Sequence, residues 1–183
     1  MKETFEGAEE LVILVDNQDN EIGVQDKLSV HQLGLLHRAF SVFIFNSTNE
    51  LLLQQRADSK YHSPGLWSNT CCSHPKPGEK TIDACKRRLM EEMGMTCDLE
   101  FNFSFVYQCK FSNGLTEYEF DHVYIGISDE LPVLNKCEVK DWKYITIRDL
   151  ENEIEVKPEN FTEWLKICLP RLSSHTRSYQ INK

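Results

Sequence analysis

Two apolar runs separated by a short polar stretch are the feature that most constrains the fold of this chain. Residues 40–45 and 51–55 flank the polar residues 46–49, which is the pattern of a β-hairpin. A second pair of runs, 101–111 and 116–127, surrounds Ser-Asn-Gly in the same way. The sequence therefore predicts a chain rich in β-structure. Further strands are predicted at 11–16 and at about 142–147.

The segment after residue 80 has the apolar spacing of a helix that packs on a sheet. Thr81 is predicted to cap this helix, and Gly94 is predicted to end it. Arg88 and Glu92 lie one turn apart on the flank of the apolar stripe, whereas Glu91 is expected to point into water. The stripe consists of Ile82, Cys85, Leu89 and Met93.

Strands outnumber helices in this pattern, so an α+β fold is expected, with helices packed on a mixed sheet. A second helix is predicted at about 159–172, interrupted late by Pro170, and the polar residues 174–183 are expected to fray. The length of 183 residues fits one domain, 1–183. Residues 1–26 form its N-terminal strand region. Whether they only complete the sheet or also close over a ligand is left open.

Composition narrows the classes of partner. A net charge of −9 argues against nucleic acid and anionic membranes, because both need a broad basic surface. It does not exclude an anionic small molecule held by a few focused cations. The seven cysteines are an odd number, and the adjacent Cys71 and Cys72 suit a disulfide framework poorly. With no apolar run near the ~18 residues of a membrane span, the cytoplasm is the expected compartment.

A short segment bracketed by proline and glycine, 64–75, places the thiol of Cys72 beside the imidazole of His74. Such a segment is predicted to be a loop, because its brackets fix turns at both ends. Glu117 and Glu119 lie two residues apart in a β-run, so their carboxylates share one strand face. With the remaining imidazoles they suggest a metal centre, although a solvated acidic face that includes Asp121 is the alternative. The additional residues are His31, His37, Glu117 and Glu119.

The helix at 81–93 also carries a recognisable motif. After Gly78 and Glu79, residues 87–94 read RRLMEEMG, which resembles the Nudix box, a loop and helix that hold Mg²⁺ for diphosphate hydrolysis. The chain departs from that box at Arg88, where a glutamate is expected. An incomplete carboxylate set implies a relative that holds a diphosphate without cutting it.

Taken together, the motifs resemble type 1 isopentenyl diphosphate isomerase, a family with the Nudix fold. The resemblance runs from about residue 27 to residue 164 and rests on several motifs in matching order. The family interconverts isopentenyl and dimethylallyl diphosphate by adding and removing a proton. The matching segments are 36–41, 51–60, 64–75, the altered box and 117–119.

The resemblance implies roles for particular residues. Cys72 and Glu119 match the catalytic thiol and carboxylate, and Tyr107 lies near enough to orient or relay a proton. Glu92 and the backbone carbonyl of Cys72 would hold Mg²⁺ with the substrate. The other metal would be Zn²⁺ or Mn²⁺, because its ligands mix nitrogen and oxygen. Its implied ligands are His31, His37, His74, Glu117 and Glu119, and the implied substrate contacts are Lys27, Arg56, Lys60, Arg88 and Trp164.

Several points stay open on the sequence alone. Trp164 is expected over the prenyl group, whereas Trp67 is as consistent with packing as with lining that pocket. Which of Cys72 and Glu119 adds the proton is undecided. Cys72 would act as a thiolate only if nearby positive charge lowers its pKa. Two rival functions are a nucleoside diphosphate hydrolase and a binding module with structural zinc. If the resemblance holds, the expected partner is a small prenyl diphosphate. The protein is expected to be a monomer.

Overall fold

The computed structural model describes residues 10–60 and 62–180, with side chains as far as Leu172. The strands are β1 Leu11–Val15, β2 Glu21–Asp26, β3 His37–Phe45, β4 Leu51–Arg56, β5 Trp67–Ser68, β6 Cys71–Ser73, β7 Leu99–Lys110, β8 Thr116–Ile127 and β9 Val139–Ile145. The α-helices are α1 Lys27–Leu33, α2 Thr81–Met93, α3 Ile147–Val156 and α4 Glu163–Gln180, with a 3₁₀ turn at Pro158–Asn160.

Strand β3 is the centre of one mixed sheet. It pairs in parallel with β8 along its whole length, from His37 opposite Glu119 to Phe45 opposite Ile127. The other strand pairings in the described residues are antiparallel. The predicted hairpins β3–β4 and β7–β8 are both present, so the expected α+β architecture is confirmed. Residues 10–26 supply β1 and β2, which complete one side of the sheet.

The β3–β4 hairpin opens beyond its turn. The two strands pair only at Phe45 and Leu51. Further along, β3 pairs with β6 and β4 pairs with β5. The resulting gap between the two halves of the hairpin is where polar residues can be enclosed without breaking a continuous ladder of backbone hydrogen bonds.

Alternating side chains of β3 serve two hydrophobic cores. Val42 and Ile44 pack in one core with Cys85, Leu89 and Met93 of α2, which confirms the predicted stripe. Phe43 and Phe45 pack in the other, with side chains of α3 and α4 that include Leu150, Leu165 and Cys168. The strand period of two therefore separates the α2 side of the sheet from the α4 side.

The ends of α2 differ in how well they match the prediction. The helix begins at Thr81, but its N-cap is Lys80, whose extended backbone precedes the first turn and whose side chain forms no capping bond. The expected cap at Thr81 was therefore wrong by one residue. Gly94 ends the helix at φ 61°, and a Cβ there would meet the Val133 carbonyl oxygen at 2.5 Å. Glycine is required at that position.

Other predictions also need correction. The segment 64–75 is not only loop, because Cys71–Ser73 pair with β3 as strand β6. The late helix begins at Glu163 and continues through Pro170 to Gln180; it includes residues 174–180, whose fraying stays a prediction, while 181–183 lie outside the described residues. Helices α1 and α3 were not predicted. Within the described residues, no helix is long and apolar enough to cross a bilayer.

Candidate active site

A cavity of about 560 Å³ lies where the β3–β4 hairpin opens. Its walls come from both halves of the hairpin, since they include Ser41 of β3 and Gln54 of β4. Most of the predicted site residues also line it. These are Lys27, Arg56, Lys60, Cys72, His74, Arg88, Glu92, Tyr107, Glu117, Glu119 and Trp164.

Strand register gives Cys72 and Glu119 a shared face of the sheet. Cys72 lies opposite Ser41 in the β3–β6 ladder, and Glu119 lies opposite His37 in the β3–β8 ladder. Paired residues point to the same side, and so do residues four apart on one strand. Both side chains therefore project to the α4 side, whereas Cys71 is buried in the α2 core.

Four buried side chains form a group beside the cavity, which we call the histidine end. They are His31, His37, His74 and Glu119, and one ligand atom from each lies within 4.8 Å of the others. His74 and Glu119 line the cavity, and His31 and His37 lie behind them. The Nε2 atoms of His37 and His74 are 3.1 Å apart, and His74 Nε2 is 3.1 Å from Glu119 Oε1. The ligand atoms are thus close enough to share one ion.

Backbone carbonyls fix the orientation of two of these imidazoles. His31 donates from Nδ1 to the Lys27 carbonyl at 2.7 Å, and His37 donates from Nδ1 to the Leu35 carbonyl at 2.9 Å. A neutral ring with its proton on Nδ1 presents a lone pair at Nε2. Burial, followed by the neighbouring imidazoles, lowers the pKa of His31 to about 3, so that ring is neutral. The residues at the histidine end therefore fit a divalent metal ion.

Glu119 and Glu117 ionise differently. Burial opposes ionisation of Glu119, but contacts with His37 and His74 outweigh it and hold the pKa of Glu119 well below its usual range. Burial and the charge of Glu119 raise the pKa of Glu117 well above its usual range. Tyr107 donates to Glu119 Oε2 at 2.6 Å and lies 3.2 Å from Glu117 Oε2. Glu117 is thus beside the histidine end but outside its four-atom group.

Cys72 departs from the condition set for a thiolate. Burial, only partly offset by Arg56, and the nearby carboxylates of Glu92, Glu119 and Glu117 raise the pKa of Cys72 to about 12. Burial outweighs the lowering effect of Arg56, so the condition for a thiolate is not met. The group facing the cavity is a protonated thiol.

Four cations also line the cavity, and we call this group the basic end; its members are Lys27, Arg56, Lys60 and Arg88. Arg88 donates to Glu92 at 2.6 Å, which agrees with their predicted placement one turn apart on α2. Glu92 is 5% exposed, whereas Glu91 is exposed, as the helix phase predicts. Lys27 pairs with Glu10 at 3.0 Å, and both Lys60 and Arg88 contact Glu138.

An aromatic wall closes the cavity on the α4 side. Trp164 donates from Nε1 to Ser68 Oγ at 2.8 Å, and the Arg56 guanidinium lies 5.2 Å from its ring centroid. His62, to which the sequence assigned no role, meets Trp164 edge-on and lies 3.5 Å from Glu117. Trp67 packs beside the α4 core and is not part of the cavity wall, which favours the packing alternative.

The structure also excludes one alternative. Glu117, Glu119 and Asp121 are 4%, 7% and 1% exposed, because β8 lies between β3 and β7 instead of at an edge. A solvated acidic face is therefore wrong. Asp121 accepts a hydrogen bond from Ser41 at 2.9 Å, and burial with the nearby Glu119 raises the pKa of Asp121 to about 8.

Comparison with known proteins shows the family to which the chain belongs. The NUDIX domain model matches residues 35–165. Isopentenyl-diphosphate Delta-isomerase 2 of Aromatoleum aromaticum is 53% identical over 166 residues, covering 91% of this chain and 88% of that protein. The chain belongs to the isopentenyl-diphosphate Delta-isomerase family. The member from Pectobacterium atrosepticum is 47% identical over 169 residues, covering 92% of this chain and 94% of that protein.

Solved structures show the same fold at greater distance. The crystal structure of DR0079 from Deinococcus radiodurans superposes with a TM-score of 0.75 at 21% identity, covering 88% of this chain and 98% of that one. A MutT protein from Methanosarcina mazei superposes with a TM-score of 0.64 at 15% identity, covering 77% and 95% of the two chains. The isomerase family is thus built here on the Nudix fold.

His62 and Glu138 are residues of the site that had no local sequence signal. His62 stands alone between polar neighbours, and Glu138 precedes β9 without any motif around it. Only the opening of the hairpin and the approach of β9 to β4 bring them to the cavity.

Proposed function

We propose that this isomerase interconverts isopentenyl and dimethylallyl diphosphate by proton transfer to and from the hydrocarbon, with Cys72 and Glu119 as the transferring residues. One observation carries the proposal. Cys72 and Glu119 line the same cavity, on one face of the sheet, and cations that could bind a diphosphate line that cavity as well.

The chemistry explains the need for two such groups. Protonating an unactivated alkene gives a tertiary carbocation, and removing a different proton completes the double-bond shift. One residue must give a proton and another must accept one, while water is excluded from the cation. Because the reaction is reversible, the donor in one direction is the acceptor in the other. Tyr107 supports the exchange by donating to Glu119.

The histidine end would hold a divalent ion, Zn²⁺ or Mn²⁺, through His31, His37, His74 and Glu119, with Glu117 completing the set. The mixed nitrogen and oxygen ligands favour these ions over Mg²⁺. A bound ion there supplies positive charge, which increases the acidity of proton donors beside it. The ion would thus fix the position of the Glu119 side chain and also change its acidity.

The basic end would bind the diphosphate through Lys27, Arg56, Lys60 and Arg88. Separate cations give charge-assisted hydrogen bonds to phosphate oxygens. Mg²⁺ would accompany the substrate, held by Glu92 and the backbone carbonyl of Cys72. Trp164 would face the prenyl group, where the aromatic ring can stabilise a desolvated cation by about 2 kcal/mol or more.

Three further predictions complete the proposal. The chain acts as one domain, 1–183, and as a monomer. Its place is the cytoplasm, in isoprenoid biosynthesis, which is consistent with seven free cysteines. Its substrate is a small prenyl diphosphate, not nucleic acid or a membrane.

Incubation with isopentenyl diphosphate in D₂O tests the function. Dimethylallyl diphosphate carrying deuterium, detected by NMR or mass spectrometry, is the expected product. Phosphate release from nucleoside diphosphates without isomerisation would support the hydrolase instead. Retention of metal with neither reaction would support the binding module.

A further inference from the structure

Glu138 is an acidic side chain in the wall of a cavity that should receive an anion. It directly precedes β9, and its backbone carbonyl accepts a hydrogen bond from the Ala57 amide at 3.0 Å. This bond holds Glu138 beside Ala57, the residue that directly follows β4 and that lies close in sequence to Arg56 and Lys60. The side chain is mostly buried, at 20% exposure, and lines the cavity.

Its carboxylate contacts two of the four cations proposed to bind the substrate. Oε2 of Glu138 accepts from Lys60 Nζ and lies 3.3 Å from Arg88 Nη2. Although burial opposes ionisation, these cations lower the pKa of Glu138, so it is charged. Glu138 Oε2 therefore lies where an oxygen of a bound phosphate would contact Lys60 and Arg88.

The remaining cations of the basic end are also engaged. Lys27 pairs with Glu10 at 3.0 Å, and Arg56 donates to the backbone carbonyls of His62 and Ser63, each at 3.2 Å. Arg88 also pairs with Glu92 at 2.6 Å. Among the described residues, the basic end thus presents cations that already have anionic or carbonyl partners.

We propose that Glu138 is a specificity-determining residue that makes the basic end select diphosphate complexed with a divalent cation over free diphosphate. The inference rests on the proposed function, because it assigns this end to a diphosphate. A free diphosphate brings several negative charges against the carboxylates of Glu138 and Glu92, and the repulsion weakens binding. A divalent cation between phosphate and carboxylate oxygens turns this repulsion into attraction.

The alternative is an ordinary ion pair that only holds Lys60 and Arg88 in position. The two possibilities predict opposite effects of neutralising Glu138. If Glu138 only positions the cations, its loss should weaken the binding of any diphosphate. If it repels free diphosphate, its loss should strengthen that binding.

The chain offers a matched control in Glu91. It contacts the same arginine, with Glu91 Oε2 at 2.8 Å from Arg88 Nη1, but it is exposed and does not line the cavity. Glu138→Gln and Glu91→Gln therefore remove the same charge and one contact with the same arginine. Only the first changes the cavity wall.

Calorimetric titration with inorganic pyrophosphate, with and without added Mg²⁺, tests the proposal on the full chain purified with its metal retained. Glu138→Gln should bind Mg²⁺-free pyrophosphate about tenfold more tightly than the wild type, so the gain from Mg²⁺ should shrink by a similar factor. Glu91→Gln should keep the wild-type ratio. Weaker Mg²⁺-free binding in Glu138→Gln, or equal ratios in the two variants, would overturn the proposal.

Two measures keep the test decisive. If Glu138→Gln does not fold, Glu138→Asp replaces it; the shorter side chain withdraws the charge from Lys60 and Arg88, so the ratio should shift in the same direction by a smaller factor. An unchanged ratio would count against the proposal. Because pyrophosphate binding needs no turnover, a wild type without isomerase activity would refute the proposed function but leave this measurement interpretable.

Discussion

The two ends of the cavity are stabilised in different ways. At the histidine end, ligand atoms of three imidazoles and Glu119 lie within 4.8 Å of one another. At the basic end, Lys27, Lys60 and Arg88 each meet a carboxylate. The ligand atoms of the histidine end can accept an added cation, whereas three of the four cations of the basic end already have a carboxylate partner.

The difference also appears in the elements that carry each end. His37 and Glu119 are fixed opposite each other by the β3–β8 register. Lys60 follows β4 in a connection, and Arg88 reaches the cavity from α2. Substitutions at the histidine end should therefore alter chemistry and metal content, whereas those at the basic end should alter substrate affinity. The following predictions test that separation.

Cys72→Ala should have the largest effect. Loss of a group that transfers a proton should lower turnover by about 10³-fold. Metal content, measured by elemental analysis, should not change, because the thiol is not among the proposed ligands. Cys137→Ala, at an exposed cysteine, is the control and should keep full activity. Loss of metal from Cys72→Ala would contradict the separation between thiol and metal site.

Glu119→Gln should damage both chemistry and metal occupancy. Turnover should fall by about 10²-fold or more, because a general acid–base group is lost. Metal content should fall with it, because a charged ligand becomes a neutral amide. Glu91→Gln on the exposed face of α2 should retain both properties. Equal damage from the two substitutions would contradict the helix-phase argument.

Trp164→Leu should lower kcat by about 30-fold, the equivalent of about 2 kcal/mol of cation stabilisation. Steady-state kinetics measures it. The substitution also removes the hydrogen bond to Ser68, so Ser68→Ala is the control that keeps the ring. Trp164→Phe should recover part of the lost rate. A similar kcat in Trp164→Leu and Ser68→Ala would show that the hydrogen bond to Ser68, not the aromatic ring, matters.

Arg88→Lys should have the smallest effect and should act on KM. Loss of the guanidinium fork removes paired contacts while keeping the charge, so KM should rise about five- to tenfold. The value of kcat and the metal content should change little. If kcat falls as strongly as in Glu119→Gln, the two ends are not functionally separate.

The fold was largely predictable because its strands carry strong local signals. Apolar runs around polar turns gave the β3–β4 and β7–β8 hairpins, and the stripe on α2 gave its buried face. Helix α3 was missed because its start at Ile147 was included in the preceding strand. The sequence nevertheless carries a signal for its start, because threonine is a preferred N-cap residue. In the structure the Thr146 side chain accepts a hydrogen bond from the Asp149 amide.

The site was predictable where motifs carry it and not elsewhere. Cys72 and His74 lie together in one segment, and Glu117 and Glu119 share a strand face, so sequence spacing groups them. Glu138 and His62 reach the cavity only through tertiary structure. No local pattern distinguishes them from surface residues. The strand at Cys71–Ser73 was also missed, because three residues are too few for a periodic pattern.

The hydrogen bonds at the histidine end have an evolutionary consequence. The rings of His31 and His37 are oriented by main-chain carbonyls at positions 27 and 35, not by neighbouring side chains. Replacing either side chain leaves its carbonyl in place. Substitution of the cavity-lining side chain at position 27 can therefore change the basic end without removing the carbonyl that holds the His31 tautomer.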